Sequence, residues 1–491
     1  MNAIIFWFLL GLPVAGTILC AMFRRRLVLE GVTVASSGLT FVSALVLIGI
    51  VMQEKSVTSP LGWWFADGLS AYIAVVVSGS AFVVALYSTG YLRRQIALGK
   101  VDDTHLWLYY LLLNVFLFTM MLVLLSNNLG FLWIGTEATT LATAFLVAFY
   151  ERESSIEAAW KYVILCSVGI ALALFGIILT YFSALHVVPH SGNALNWTTL
   201  LQAARKLDPA ILKLAFIFVL VGFGTKAGLA PMHSWKPDAY SESPAPISAL
   251  MAAGLVNVAL YAIMRFYILL NASLAGSFAS ILFITFGLLS MAVAVPFVLV
   301  QRDFKRLLAY SSVEHVGIII FALGLATPLA YFGAMLHLLN NAIAKMLLFL
   351  TASNLRTAYN SRLMRKISGA FKVVPVSATL LILGVFAITG WPPFGLFMSE
   401  FTIVSAGFRQ GNIVPAALFI VIVAAIFAGF VYYTSRMVFG NPESAVTGRE
   451  TGTPSLVLLG VLLVALVVLG IYLPAPLQEG ISGAVSVLRG S

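Results

Sequence analysis

Along this chain long apolar runs alternate with brief polar interruptions, and the runs have the length a lipid bilayer demands. A helix rises about 1.5 Å per residue, so about 20 apolar residues cross a hydrocarbon core of about 30 Å. Such runs stand near residues 3–22, 31–53, 71–91, 107–126, 128–149, 159–183, 210–231, 244–270, 275–300, 306–325, 329–353, 373–408, 412–435 and 453–473. The pattern predicts an all-α polytopic membrane protein with fourteen spans, in one integral domain over 1–491. Its parts are three N-terminal helices (1–105), a first repeat (106–270), a second repeat (275–435) and a last helix (453–473). Residues 1–22 carry no basic leader and no small-residue cleavage site, which predicts a retained first helix.

Two spans are punctuated abnormally. The seventh runs through Gly222, Gly224, Lys226, Gly228 and Pro231; the twelfth holds "ITGWPPFGLFMSEF", with Gly390, Pro392, Pro393 and Gly395 ahead of Glu400. Proline removes a backbone donor and clashes with the preceding turn, so both helices should break at membrane depth. The two lie five spans apart, as they would if spans 4–8 and 9–13 were repeats. Interrupted segments in matching positions point to an ion site. Between spans four and five, Ser126–Asn127–Asn128 reads as a tight turn, and 184–209 as a polar connection of loop-formers such as His186, Pro189, His190, Ser191 and Gly192.

Composition agrees with this picture. The chain is 61% hydrophobic and 9% charged, and its mean hydropathy is +1.02. The net charge of +10 does not call for a nucleic acid, because the basic residues fall unevenly between the two sides. Alternate loops starting with the first hold Arg24, Arg25, Arg26, Arg93, Arg94, Lys100, Arg152, Lys236, Arg302, Lys305, Arg306, Arg356, Arg362, Arg365, Lys366, Lys372, Arg436 and Arg449. The opposite side holds Lys55, Arg205, Lys206, Lys213, Arg409 and Arg489. Eighteen against six puts both termini outside the cytoplasm. Cys20 and Cys166 stand alone without a CxxC, so no thiolate metal or iron–sulfur site is expected.

The remaining basic residues, with a few acids and histidines, lie inside apolar segments, where charge is costly and commonly functional. Glu137, in "GFLWIGTEATTLATAFLVAFY", is expected to face the bundle interior or water, since the lipid face would be too costly, and to pair with Lys226. Beside the carboxylate the lysine keeps its proton; without it, desolvation drives the proton off. His337 and Lys345, in "GAMLHLLNNAIAKMLLFL", are about two turns apart on one face, with Asn340 and Asn341 between them. No other histidine offers a face matching His337, so bis-histidine haem ligation is not expected. Glu400 follows the break of span twelve by seven residues. Glu314 and His315 are read near the start of span ten as a possible uptake point for protons. Lys236, Asp238 and Glu242 are read at the cytoplasmic end, Arg265 as snorkelling at the outer end of span eight, and Lys161 as interfacial.

Taken together, these residues resemble the antiporter-like proton-pumping subunits of respiratory complex I and of membrane-bound hydrogenases. The resemblance rests on Glu137, "TKAGLAPMHSWKPDA", "RDFKRLLAYSSVEHVG", "HLLNNAIAKMLLFL" and "WPPFGLFMSEF", over about residues 105 to 410. The stretches "EATTLATAFLVAFY" and "EAAWKYVILCSVGIALALFG" look most like component F of hydrogenase-4-type complexes. The resemblance implies inverted five-helix repeats, Glu137 and Lys226 as a coupled pair, His337 and Lys345 as the central relay, and Glu400 as the exit-side carboxylate. His233 and Asp238 fall in the matching stretch as further relay or uptake candidates. Many relatives have a lysine where Asn257 stands, which leaves that part of the relay to water. Some have histidine at Asn341, and many have leucine and histidine at Lys236 and Tyr240. The tail after the last span is short, so no long lateral helix is expected.

The resulting expectation is a proton-translocating, non-catalytic subunit of a redox-driven complex of the hydrogenase-4, formate hydrogenlyase or NADH dehydrogenase type. It would bind no cofactor and no metal, and would sit in the bilayer beside other membrane subunits under a peripheral redox arm. Three rivals stand: a subunit of a multi-subunit sodium/proton antiporter, a scaffold that does not pump, and a quinone-reducing chain. Isolated carboxylates among lysines suit protons better than sodium, which needs several oxygen ligands around one site.

Overall fold

A computed structural model describes residues 2–490 apart from 186, 189–193, 275 and 443–449. The readings that fell on His186, Pro189, His190, Ser191, Gly192 and Arg449 lie outside the described residues. The first three long helices are α1 (Ile5–Met22), α2 (Arg26–Glu54) and α3 (Gly68–Ala97). The first repeat follows with α4 (Asp103–Leu125), α5 (Leu129–Val147), α6 (Glu153–Ala184), the short α7 (Trp197–Ala203), α8 (Pro209–Ala227), α9 (Trp235–Glu242), α10 (Ala245–Leu250) and α11 (Val256–Ser273). The second comprises α12 (Phe278–Val300), α13 (Phe304–Gly324), α14 (Pro328–Tyr359), the one-turn α15 (Ala370–Val373), α16 (Pro375–Ile388), α17 (Gly395–Arg409) and α18 (Ile413–Val438). Last come α19 (Thr453–Ile471) and α20 (Ala475–Arg489).

Among the described residues thirteen helical segments are long and apolar enough to cross a membrane, and the broken pair α16 and α17 supplies a fourteenth crossing. The seventh crossing breaks where Gly228 takes φ +77° and ends α8; the twelfth breaks where Gly390 takes φ +68° and ends α16. A side chain is strained in that left-handed region, so glycine lets the chain leave the helix there. Each repeat makes five crossings. An odd number delivers the chain to the opposite face, so the second repeat is inverted relative to the first.

Polar residues at the helix starts accept the free amide hydrogens. Asp67 caps α3, Asn128 caps α5, Asp208 caps α8, Asp303 caps α13 and Thr327 caps α14. Burial is graded across the bundle. The best apolar window of the segment Ala245–Ser273 is 100% buried and that of α13 94%, whereas α19 reaches only 17%. The ionisable centre therefore belongs to the inner helices. The outer ones expose side chains such as Phe145, Trp160, Val421 and Val464 to what a bilayer would cover.

Five features depart from the sequence reading. The connection 184–209 is not all loop, since α7 lies in it, and a two-stranded hairpin of β1 (Ser56–Thr58) and β2 (Phe65–Asp67) joins α2 to α3. The eighth crossing contains a π-helical turn, Met251–Leu255, just before Asn257. The tail after span fourteen is the amphipathic α20, whose Ile481, Ala484, Val485 and Leu488 pack inward. Arg265 does not snorkel. It is buried and grips Asp67 with two nitrogens at 2.6 and 2.7 Å, under the Trp197 ring, whose centre is 4.4 Å away.

Candidate functional site

Lys226 occupies the last turn of α8, fully buried. Its Nζ donates to Thr140 Oγ1 and to Tyr162 OH, both at 2.7 Å. Glu137 accepts from Ser167 Oγ at 2.6 Å and from Thr140 Oγ1 at 3.4 Å. The expected ion pair is therefore not a direct contact, because Thr140 stands between lysine and carboxylate and touches both. Glu137 is also half-buried rather than interior, at an outer seam of α5 and α6 flanked by the exposed Ile134, Leu141 and Ile164.

The second cluster lies where α13, α14 and α17 meet. His315 Nδ1 and His337 Nε2 are 2.9 Å apart, and His337 Nδ1 is 2.9 Å from Ser399 Oγ, next to Glu400. Lys345 Nζ donates to Leu308 O at 3.2 Å and to Ser311 Oγ. All four ionisable groups, with Glu314, are buried. Glu314 and His315 sit in the middle of α13, not near its start, and belong to this buried cluster. His315 also corrects the view that no histidine faces His337. The contact, at 2.9 Å, is a hydrogen bond: two opposed axial bonds of about 2 Å would put the nitrogens about 4 Å apart, and a tetrahedral zinc about 3.3 Å.

His315, His337 and Glu400 each bring a possible ligand atom within 4.8 Å of the others. Both nitrogens of His337 are already engaged, so a metal there would have to displace His315 or Ser399. The arrangement suits proton exchange better, since an imidazole takes a proton at one nitrogen and releases one from the other. Around it, Asn257 Oδ1, Asn340 Oδ1 and Nδ2, Asn341 Oδ1, His315 Nε2 and Tyr240 OH are buried without a protein partner. Buried polar atoms of this kind are ordinarily met by water. Asn257 spends its Nδ2 on Ala253 O at 2.7 Å, within its own crossing.

The remaining candidates lie at the edge. Asp238 pairs with Arg306 and, at 3.4 Å, with Lys161, in a partly exposed ion network apart from both buried clusters. Lys161 is half exposed and also bonds Glu157 at 2.6 Å, as an interfacial lysine should. His233 lies against Phe297 and Tyr310, its Nδ1 unpartnered, outside both clusters. Lys236 overturns its assignment to a cytoplasmic loop: it is fully buried behind the break of span seven. Without it the basic residues still divide seventeen to six.

Sequence reasoning missed Thr140, Tyr162, Ser311 and Ser399 as partners. Hydroxyls are common on membrane helices, and only Thr140, three residues after Glu137, and Ser311, three before Glu314, had a helical spacing that tied them to a charge.

A membrane bundle with two broken crossings and buried ionisable groups beside them is an antiporter-like membrane subunit. Residues 126–427 match the family described as NADH:quinone oxidoreductase/Mrp antiporter, TM, and the chain belongs to that family. It is 37% identical over 431 residues to the hydrogenase-4 component F homolog of Methylacidiphilum infernorum, covering 88% of this chain and 89% of that protein. It is 30% identical over 402 residues to a Na(+)/H(+) antiporter subunit of Alkalihalophilus pseudofirmus, covering 76% of this chain but only 47% of that longer one. The fold is similar to a chain of the archaeal membrane-bound sulfane sulfur reductase, with a TM-score of 0.87 at 24% identity over 99% of this chain and 97% of that one. The names of these relatives describe components or subunits of larger membrane assemblies.

Proposed function

We propose that the chain translocates protons as the non-catalytic membrane subunit of a redox-driven complex of the hydrogenase-4 type. The protons would pass through Glu137, Lys226, His337, Lys345 and Glu400, with His315 as a sixth member. The observation that carries the reading is the His315–His337–Ser399 string, which links α13, α14 and α17 at 2.9 Å per contact beside Lys345 and Glu400. Burial disfavours an ammonium and a nearby carboxylate favours it. Charge on Glu137, felt across Thr140, therefore decides whether Lys226 keeps its proton. The hydroxyls of Thr140 and Tyr162 can accept from an ammonium or donate to an amine, so the pocket suits both states.

The redox centres would lie in a peripheral arm supplied by partners. The basic-residue bias supports a cytoplasmic membrane with both termini on the non-cytoplasmic side. A reporter fused after residue 490 and active only in the cytoplasm would reject that orientation. The function itself is tested on the complex purified through a tag on this chain and reconstituted in vesicles. Proton uptake should follow oxidation of the complex's own electron donor and fall at least about tenfold in His337→Ala. Uptake driven instead by an imposed sodium gradient, with no redox subunit in the preparation, would favour the antiporter class. Unchanged uptake in His337→Ala would overturn the relay.

A further inference from the structure

We propose that Lys236 is a proton carrier joining the two halves of the relay, between Lys226 in the first repeat and Lys345 in the second. The proposal rests on the proton-translocating reading and adds a residue to it.

The break in span seven turns the chain so that α9 starts beside the end of α8, and the Lys236 side chain folds back over that break. It lies so close to Gly228 that a Cβ there would stand 2.7 Å from Lys236 Cδ and 2.9 Å from its Nζ. The Nζ donates to Ala227 O at 2.7 Å, the carbonyl next to Lys226, and reaches Ser312 O on α13 at 3.4 Å. Ser312 adjoins Ser311, whose hydroxyl accepts from Lys345, and His315 follows one turn later. One side chain thus touches the backbone beside the first lysine and the backbone beside the partner of the third. Lys226, Lys236 and Lys345 are all fully buried.

The contacts suit a group that changes charge. Both acceptors of Lys236 are neutral carbonyls, and a deprotonated amine keeps two N–H donors, enough for both. The titratable groups that face it are Cys166 from α6, Tyr240 from its own helix, His315 from α13 and Lys345 from α14, and Lys226 of α8 precedes the Ala227 carbonyl it bonds. The Tyr240 ring centre is 5.8 Å from Nζ, and Cys166, His315 and Lys345 are within electrostatic reach. None of these neighbours is a carboxylate that would pin the ammonium in place. Ammonium groups in a low-dielectric interior repel one another, so a proton on one lysine favours a neutral amine on the next. Each step moves one proton and no electrons. An N–H bond of the Lys226 ammonium breaks, one forms on the Lys236 amine by way of a hydroxyl or water, and the same exchange carries the proton on to Lys345. Asn257 cannot take this part, because an amide does not titrate and its Nδ2 is spent on Ala253 O.

The test uses the tagged complex in vesicles energised by its own donor, with a pH-sensitive dye. Lys236→Met should lower proton uptake at least about tenfold with assembly intact. Lys236→Arg should do the same, because a guanidinium keeps its proton up to a pH of about 12. Lys236→His should pump in part, with the alkaline limb of its pH profile moved toward acid, since imidazole titrates near 6.5 and lysine near 10.4, roughly. If Lys226→Met is silent while Lys236→Met pumps like the parent, Lys236 is no carrier and the relay reading survives. If both pump like the parent, the proton reading itself falls. Full pumping by Lys236→Arg, or an unchanged pH profile in Lys236→His, overturns the carrier role in favour of a fixed charge. Should Lys236→Met fail to assemble, the Lys236→His profile decides.

Discussion

Two buried basic sites in this molecule solve the same problem in opposite ways. Arg265 is neutralised outright: Asp67 meets it with both carboxylate oxygens, and Ser70 adds a contact at 3.3 Å. Lys226 is also buried, yet its Nζ meets only two hydroxyls, and the nearest carboxylate is reached through one of them. An arginine never loses its proton at working pH and presents a rigid fork suited to a carboxylate. A lysine can lose its proton, and neutral acceptors do not oppose the loss. The first site fastens β2 and α3 to α11 with a permanent charge, while the second keeps a charge that can be turned off. Burial alone does not separate these roles; the chemistry of the partner does.

The largest effect is expected from breaking the clamp. Asp67→Ala leaves a buried guanidinium unpaired and should cost about 3–5 kcal/mol of stability, read as a loss of assembled protein and a lower unfolding midpoint in detergent. The double variant Asp67→Ala/Arg265→Met should recover part of that loss. A single variant as stable as the parent would refute the clamp.

Lys226→Met should behave in the opposite manner. It replaces a buried charge that no carboxylate touches by an apolar side chain of similar volume, a change that is often neutral or stabilising, so the unfolding midpoint should hold while proton uptake falls at least about tenfold. A collapse of folding with this substitution would make Lys226 a structural group and erase the contrast.

Thr140→Val keeps the shape but removes the hydroxyl between Glu137 and Lys226. A hydrogen bond of about 1–1.5 kcal/mol corresponds to about a tenfold effect, so uptake should slow by up to about that factor with assembly unchanged. Parental rates would mean that the carboxylate acts on the lysine by another route.

The smallest effect concerns acid. Burial alone would raise the Asp67 carboxyl, but the charge and hydrogen bonds of Arg265 and the bonds from Ser70 outweigh it and hold the group below its ordinary value. The folded state then binds the proton less readily than the unfolded one. The clamp's contribution is fully present above about pH 4 and is lost as pH falls through the folded value. Down to about pH 4 the loss should stay below about 1 kcal/mol, and it should steepen below that. Unfolding midpoints measured from neutral pH downward should show this dependence in the parent and lack it in Asp67→Asn. Identical curves would remove Asp67 from the account.

What the sequence determined by itself was the architecture. Apolar run length depends on bilayer thickness, so the fourteen crossings were legible with boundaries close to those found, and Gly228 with Pro231, and Gly390 with Pro392 and Pro393, marked the breaks because backbone rules are local. The same reading located Lys226, His337, Lys345 and Glu400 as buried charges. Their partners were decided only by the tertiary structure. That Thr140 separates Glu137 from Lys226, that His315 reaches His337 from another helix, and that Asp67 comes across the chain to meet Arg265 are contacts between residues 22 to 198 positions apart. Lys236 shows the division most clearly. The rule that ended span seven at a proline put this lysine in a loop, but a chain that breaks within the membrane can turn back into it, and only packing against α6 and α13 brings the side chain inside.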